Sequence, residues 1–174
     1  MRALILVESY FGNTRAVADA VAEGLSPMVS ADVVEIPDAP ETIESTVDLL
    51  VVGGPTHALG MSRPATRQDA VRQAELSSSP TVGVREWLSA ARGVPAYAAA
   101  FDTRIDKGWV PGSAAKGIAK ALRGLGGTLV VKAESFKVTG TPGPLADGEL
   151  DRARAWGAQL AERLVLLDRR DRRA

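Results

Sequence analysis

The sequence contains no cysteine and a single histidine, His57. Disulfides, thiolate metal sites, cysteine-ligated iron–sulfur clusters and cysteine nucleophiles are therefore excluded, and one histidine makes a protein-ligated zinc site unexpected. The formal net charge is zero, because 21 Lys and Arg residues balance 21 Asp and Glu residues. Nucleic-acid binding, which depends on a basic surface, therefore has no support from the composition.

Long apolar runs are also missing. No run reaches the roughly 18 residues that a membrane span needs, and the N-terminus shows no basic segment followed by a cleavage site. The 174 residues are 45% apolar, which predicts one folded domain with a substantial core. We expect a cytoplasmic protein without membrane insertion, with a single domain over residues 1–168 and a charged tail over residues 169–174.

Apolar strand-like runs alternate with helix-patterned segments along the whole chain. The predicted strands are 4–7, 33–36, 49–52, 96–101 and a fifth that begins at Thr128 and ends at Val131 or Val138. The predicted helices are 14–24, from Ser62 or Pro64 to near Leu76, 84–91, a helix capped by Ser113 and stopped by Gly124, and a last helix capped by Asp147 with an apolar stripe from Leu150 to Leu167. This alternation predicts an α/β fold with three layers, a doubly wound five-stranded parallel sheet covered by helices on both faces.

A polar turn, Ser9-Tyr10-Phe11-Gly12-Asn13-Thr14, joins the first strand to the first helix. Its hydroxyl and amide side chains, together with the free N–H groups and the dipole of a helix N-terminus, are suited to hold a phosphate. The turn contains no lysine, unlike the P-loop of nucleotide hydrolases. The pattern therefore argues against ATP or GTP hydrolysis.

Three loops are expected to meet at one edge of the sheet. They follow the first, third and fourth strands and cover residues 9–14, 54–64 and 101–112. In open parallel sheets, ligands bind beyond the carboxyl ends of the strands near the point where the strand order reverses. The sequence therefore predicts a ligand site where these loops come together.

The three loops resemble those of the flavodoxin family. Residues 9–14 are similar to its phosphate loop, Gly53-Gly54-Pro55-Thr56-His57 to its first flavin-flanking loop, Ala100-Phe101-Asp102-Thr103 to its second, and residues 143–150 to the tail of flavodoxin-domain proteins. The resemblance covers nearly the whole chain and implies sheet order 2-1-3-4-5, non-covalently bound FMN and electron transfer. The implied cofactor-binding residues are Ser9, Tyr10, Phe11, Gly12, Asn13, Thr14, Pro55, Thr56, His57, Ala58, Phe101, Asp102, Thr103 and Trp109, with no catalytic side chain and no metal ligand.

Two departures from the family pattern keep three functions open. Phe11 stands where the family commonly has a hydroxyl residue, and the first flanking loop carries no Trp or Tyr. The leading hypothesis is an FMN-dependent electron carrier that serves redox partner proteins or small acceptors. The alternatives are an FMN-dependent NAD(P)H quinone or nitro-compound reductase, and a flavodoxin-fold binding module that has lost FMN.

Individual residues also have purely structural interpretations. Ser9 and Thr14 are equally consistent with capping of the first helix, and Trp109 with packing under its own loop. Trp87 and Trp156 are expected in the core or between helices.

Overall fold

The computed structural model describes residues 1–76, 81–105 and 112–173. Its elements are β1 (Arg2–Val7), α1 (Asn13–Leu25), β2 (Ser30–Glu35), a 3₁₀ turn (Ile36–Asp38), β3 (Leu49–Pro55), α2 (Pro64–Gln73), α3 (Val84–Ala90), β4 (Tyr97–Ile105), α4 (Ala114–Gly124), β5 (Thr128–Leu129), β6 (Glu134–Val138) and α5 (Glu149–Asp171). Trp109, which was expected to flank the cofactor, lies outside the described residues.

The sheet is parallel and its strand order is β2-β1-β3-β4-β5, with β6 also paired to β4. The predicted α/β class and the order 2-1-3-4-5 are confirmed. The prediction of a single fifth strand is corrected, because two short strands, β5 and β6, pair one after the other along β4. Ala98 pairs with Leu129 and Phe101 pairs with Glu134. Between these two pairs, the chain at the sheet edge therefore has two more residues than β4, which is the pattern of a β-bulge.

The two faces of the sheet carry separate cores. Ile5 and Val51 point toward the face covered by α1 and α5, whereas Leu6 and Val52 point toward the face covered by α3 and α4. A strand buried on both faces needs apolar residues at every position, which explains the continuous runs in the sequence. Two expectations are confirmed by burial: Trp87 and Trp156 both lie in the core.

Helices α1 and α5 cross in close contact through two glycines. A Cβ placed on Gly157 would lie 2.3 Å from the carbonyl oxygen of Val21, and one on Gly24 would lie 2.1 Å from the carbonyl oxygen of Arg154. Real Cβ atoms do not approach backbone so closely, so glycine is what allows the two helices to pack at this distance. The contact fixes the position of α1, whose N-terminus lies at the carboxyl ends of the strands.

The start of α5 differs from the prediction. Its N-cap is Gly148 in the left-handed conformation (φ 79°), not Asp147. Glu149 turns inward instead of Leu150, because its carboxylate binds Arg152 and accepts the Lys137 N–H at 2.7 Å. Leu150 is consequently 37% exposed and does not belong to the buried stripe. The helix continues to Asp171, so residues 169–171 of the expected tail are helical.

The other helix boundaries fall close to the predicted ones. Helix α1 begins and ends one residue outside the predicted range, and Ser113 caps α4 by accepting the Lys116 N–H at 3.2 Å. Helix α2 ends at Gln73 rather than near Leu76, because Glu75 has a positive φ of 53° that a helix cannot continue through. None of the helices within the described ranges is both long and apolar enough to cross a membrane.

Candidate functional site

A pocket of about 320 Å³ lies at the carboxyl ends of β1, β3, β4 and β6. It brings together nine of the residues predicted from the sequence: Tyr10, Phe11, Asn13, Thr14, Pro55, Thr56, His57, Ala58 and Thr103. Ser9, Gly12, Phe101 and Asp102 are not among its walls. Residues of the three predicted loops therefore do meet at one edge of the sheet, whereas Phe101 and Asp102 lie in the interior beneath it.

The turn before α1 presents backbone rather than a side-chain cap. Gly12 is the N-cap in the left-handed conformation (φ 80°), and no atom of the described residues lies within 4 Å of where its Cβ would be. Ser9 does bond the helix terminus, because its Oγ accepts the Arg15 N–H at 3.3 Å. The N–H groups of Asn13 and Thr14, at the first two helical positions, have no carbonyl one turn earlier in the helix. This terminus is therefore open to an anion.

Two of the predicted phosphate donors already bond protein groups. The Asn13 Nδ2 donates to the carbonyl of Pro142 at 2.6 Å, which ties the turn after β6 to the start of α1. The hydroxyls of Thr14 and Thr103 lie 2.8 Å apart and form a buried hydrogen bond. A Cβ on Gly143 would lie 2.6 Å from the Asn13 Nδ2, so the turn packs tightly on this amide. The Asn13 side chain is thus a clamp between two loops.

Asp102 lies in the interior and organises the site from behind. Its Oδ2 accepts hydrogen bonds from the hydroxyls of Thr56 at 2.9 Å and Ser113 at 2.6 Å, and from the Ala115 N–H at 2.9 Å. Its Oδ1 is buried and has no hydrogen-bond partner among the residues that the structure describes. The carboxylate therefore joins the pocket residue Thr56 to the N-terminus of α4.

Phe101 also lies away from the pocket. Its ring packs edge-on against Phe136 and Trp156, and a Cβ on Gly53 would lie 2.1 Å from it. The aromatic side chain expected to flank a cofactor is thus part of the core under α1 and α5. Its packing requires glycine at position 53, because any larger residue on β3 would overlap the ring.

A buried polar network lies beneath the pocket. Glu8 accepts the Tyr10 hydroxyl at 2.8 Å and the Val84 N–H at 2.7 Å. Nearby, the fully buried guanidinium of Arg67 donates to Glu86 at 2.9 Å and to the Ser62 hydroxyl at 3.2 Å. Because a buried charge is stable only when it is paired and hydrogen-bonded, this network anchors α2, which lines the pocket, to the start of α3.

His57 forms part of the pocket edge. Its ring centroid lies 5.7 Å from that of Tyr10, and its backbone closes a tight turn with Gly60. Burial lowers the pKa of His57, and this outweighs the nearby Glu8 charge and a hydrogen bond with the Thr66 backbone, which act to raise it. The imidazole is therefore neutral at neutral pH. Within the turn, Ala58 and Leu59 both adopt positive φ (40° and 80°), a conformation that costs non-glycine residues about 1 kcal/mol each.

Several pocket residues were not predicted from the sequence. They are Thr66, Asp69, Ala70 and Gln73 of α2, Arg104 and Ile105 at the end of β4, and Val138, Gly140, Thr141 and Pro142 after β6. The last group had a usable signal, because the Gly/Pro turn 139–144 follows a strand and so lies at the same edge as the other three loops. The residues of α2 had none, since nothing in their pattern indicates where that helix docks. In the described ranges, no group of three or more His, Cys, Asp or Glu residues is placed to hold a metal ion.

Comparison with known proteins relates this architecture to one fold. No protein-family model matches the chain, and no curated protein matches it by significant sequence similarity. Among solved structures, a flavodoxin from the domain Archaea has a TM-score of 0.64 at 21% identity, covering 94% of this chain and 99% of that one. Oxidised flavodoxin 1 from Bacillus cereus has a TM-score of 0.66 at 19% identity, covering 93% and 98%.

A larger protein contains a similar unit. The Flv1 flavodiiron core from Synechocystis sp. PCC6803 has a TM-score of 0.60 at 20% identity, covering 95% of this chain but 36% of that one. Together, these matches show that the chain has the flavodoxin-like fold. At these identities they establish architecture, and the function has to be argued from the site itself.

Proposed function

We propose that the chain is a flavodoxin-like flavoprotein that binds FMN non-covalently and passes electrons between redox partner proteins or small acceptors. The observation that carries the proposal is the position of the pocket, which joins an open helix N-terminus to aromatic and aliphatic walls at the carboxyl edge of the sheet. A cytoplasmic location stays a prediction.

The polar side of the pocket fits a phosphate monoester. Five threonines line it, at positions 14, 56, 66, 103 and 141, and the N-terminus of α1 supplies backbone N–H groups and the positive end of a helix dipole. Among the described residues that line the pocket, Asp69 is the only carboxylate, and it forms an ion pair with Arg72. Repulsion of a phosphate is therefore weak at this end.

The apolar side of the pocket fits a planar ring system. Tyr10, Phe11 and His57 contribute aromatic surface, while Ile105 and Val138 contribute aliphatic surface. A pocket that is mostly apolar with a few convergent polar groups is the usual form of a cofactor site. The residues present therefore fit FMN, with its phosphate end toward Thr14 and its ring end toward the 55–58 loop.

FMN, when bound, supplies one- and two-electron transfer. The protein's part is to hold and orient the group. Thr56 is fixed by Asp102 on one side, and its N–H donates to the Thr103 carbonyl at 2.8 Å on the other. His57 places a neutral imidazole at the edge, so it adds no fixed positive charge there.

The absorbance spectrum of the purified protein tests this proposal. We expect flavin bands in the visible region, and we expect the chromophore released by mild denaturation to be FMN on chromatography. If no flavin co-purifies, adding FMN to the protein should produce the bound spectrum. A protein that neither carries FMN nor takes it up contradicts the proposal. That result favours a binding module that has lost FMN, and Phe11 and the bond of the Asn13 amide to Pro142 would then be explained by that loss.

The reductase remains a second candidate because of one observation. Ala58 and Leu59 are exposed at the tip of the first flanking loop, Leu59 by 56%, and that loop offers no Trp or Tyr to cover a flavin face. An uncovered face admits a hydride donor or a small acceptor. Steady-state oxidation of NADPH in the presence of a small quinone separates the two functions: rapid turnover favours the enzyme, and turnover only through a partner reductase favours the carrier.

A further inference from the structure

The hydrogen bond between Thr14 and Thr103 connects the start of α1 to the end of strand β4. Thr14 is the second residue of α1, and Thr103 lies near the end of β4, 89 positions further along the chain. Their hydroxyl oxygens are 2.8 Å apart, and the residues are only 3% and 4% exposed although both line the pocket. The backbone of Thr103 is held in turn, because its carbonyl accepts the Thr56 N–H.

Counting protons shows that this pair has one donor to spare. Each hydroxyl carries one proton and can accept up to two hydrogen bonds. One proton is used between the two oxygens, and either residue can supply it. The second proton then belongs to the residue that accepts the shared bond, and that hydroxyl is able to donate to a third group.

We propose that Thr103 is a positioning residue that determines the affinity of the pocket for a phosphate monoester. An anion at the N-terminus of α1 selects one direction of the pair: Thr103 donates to Thr14, and Thr14 donates to the anion. Hydrogen bonds in such a chain polarise one another, so the Thr103 hydroxyl strengthens a contact that it does not itself make. This inference rests on the proposed function in so far as the phosphate is that of FMN.

Three variants of the full chain test this relay, in which Thr103 acts on the anion through Thr14, by the dissociation constants of FMN and riboflavin. Thr103→Val removes the hydroxyl at nearly constant shape, and Thr103→Ser retains it. We expect Thr103→Val to weaken FMN binding by about three- to tenfold while leaving riboflavin unchanged, because only the charged ligand uses the relay. Thr103→Ser should restore the wild-type ratio. The exposed Thr128, on β5, provides the matched control Thr128→Val, which should alter neither constant.

A double-mutant cycle with Thr14→Val separates a relay from an independent contact. In the Thr14→Val background, Thr103→Val should have almost no further effect on FMN, because the intermediate hydroxyl is already gone. An equal loss of FMN and riboflavin in Thr103→Val would show a merely structural role and overturn the proposal. A full additional loss in the double variant would show that Thr103 acts without Thr14 and would overturn it as well.

Inorganic phosphate distinguishes failure of the relay from failure of the flavin assignment. Its binding is followed through the backbone amide NMR signals of Asn13 and Thr14. If phosphate shifts these signals and Thr103→Val weakens that response, the relay holds even when FMN does not bind. If the wild-type protein shows no response to phosphate or FMN, the relay is rejected.

Discussion

The phenol of Tyr10 donates a hydrogen bond of 2.8 Å to Oε1 of Glu8, and both side chains are less than 9% exposed. The other carboxylate oxygen accepts the Val84 N–H at 2.7 Å. Tyr10 also lines the pocket, where its ring meets that of His57. One buried carboxylate thus ties the pocket wall to the start of α3, so the shape of the site depends on a polar contact in the interior.

Tyr10→Phe should lower the free energy of unfolding by about 1–3 kcal/mol, because it leaves a buried carboxylate oxygen without its donor. The chain provides a matched control in its second tyrosine, Tyr97, whose hydroxyl bonds Asp171 at the surface. Tyr97→Phe should stay within about 0.5 kcal/mol of wild type. Denaturant unfolding of the three proteins measures both effects. Equal losses in the two variants would mean that burial of the Tyr10–Glu8 pair adds nothing.

Gly157→Ala should destabilise the fold by about 2 kcal/mol or more, because the new methyl group would meet the Val21 carbonyl 2.3 Å away and force α1 and α5 apart. Gly124→Ala, at the end of α4, has open space around the new Cβ and should be neutral or stabilising by up to about 1 kcal/mol. Thermal unfolding compares the pair. A Gly157→Ala protein as stable as Gly124→Ala would contradict the close helix crossing.

The pKa of His57 should lie below the ordinary value of 6.5, because burial disfavours the imidazolium. As the only histidine, it gives an unambiguous ring-proton NMR signal for titration. The unfolded chain takes up a proton on His57 near pH 6.5, whereas the folded chain takes it up at lower pH. Stability should therefore fall as the pH drops from about 6.5 toward the folded pKa.

The variant His57→Gln should lack this part of the pH dependence. Burial acts to raise the pKa of Glu86 and Glu149, but hydrogen bonds that include those from Arg67 and Arg152 outweigh it and lower the pKa from its ordinary value of 4.5. The folding stability that these carboxylates contribute is therefore lost only below about pH 4.5. The histidine contribution is thus observed in its own pH range. A measured pKa of His57 at or above 6.5 would disagree with the burial of its ring.

Asp102→Asn should weaken both the fold and the ligand site. An amide keeps the size of the side chain but loses the charge that three donors now share, so we expect a loss of about 2–3 kcal/mol in unfolding free energy. Because Thr56 loses its anchor, flavin affinity should fall as well. The exposed Asp69 offers the control, and Asp69→Asn should change stability by less than about 0.5 kcal/mol. Similar losses in both variants would contradict an organising role for Asp102.

The sequence predicts the sheet well because its physical signal is strong. Runs such as Leu49–Val52 are apolar at every position, which only a strand covered on both faces requires, and the loops that follow such strands must share one edge. The split of the fifth strand was missed because Val130 and Val131 look like strand residues although they form the bulge between β5 and β6. No local sequence pattern indicates where the pairing with β4 is interrupted by two extra residues.

The site was predicted in part for a similar reason. Position in the chain identifies which loops meet, but not which way each side chain turns. Asp102 follows Phe101 on β4, and both side chains serve the interior, whereas the next residue, Thr103, faces the pocket. The Asn13 clamp depends on Pro142, 129 positions away, so no local pattern reveals it. Side-chain direction at strand ends and long-range partners are properties of the folded chain.

The ratio of the dissociation constants of FMN and riboflavin tests the central claim most directly. Fluorescence titration of the flavin-free protein gives both constants under one set of conditions. If the open N-terminus of α1 and the Thr14 hydroxyl hold a phosphate, FMN should bind at least about tenfold more tightly than riboflavin, and Thr14→Ala should reduce that ratio. Equal affinity for the two flavins in the wild-type protein would contradict the account.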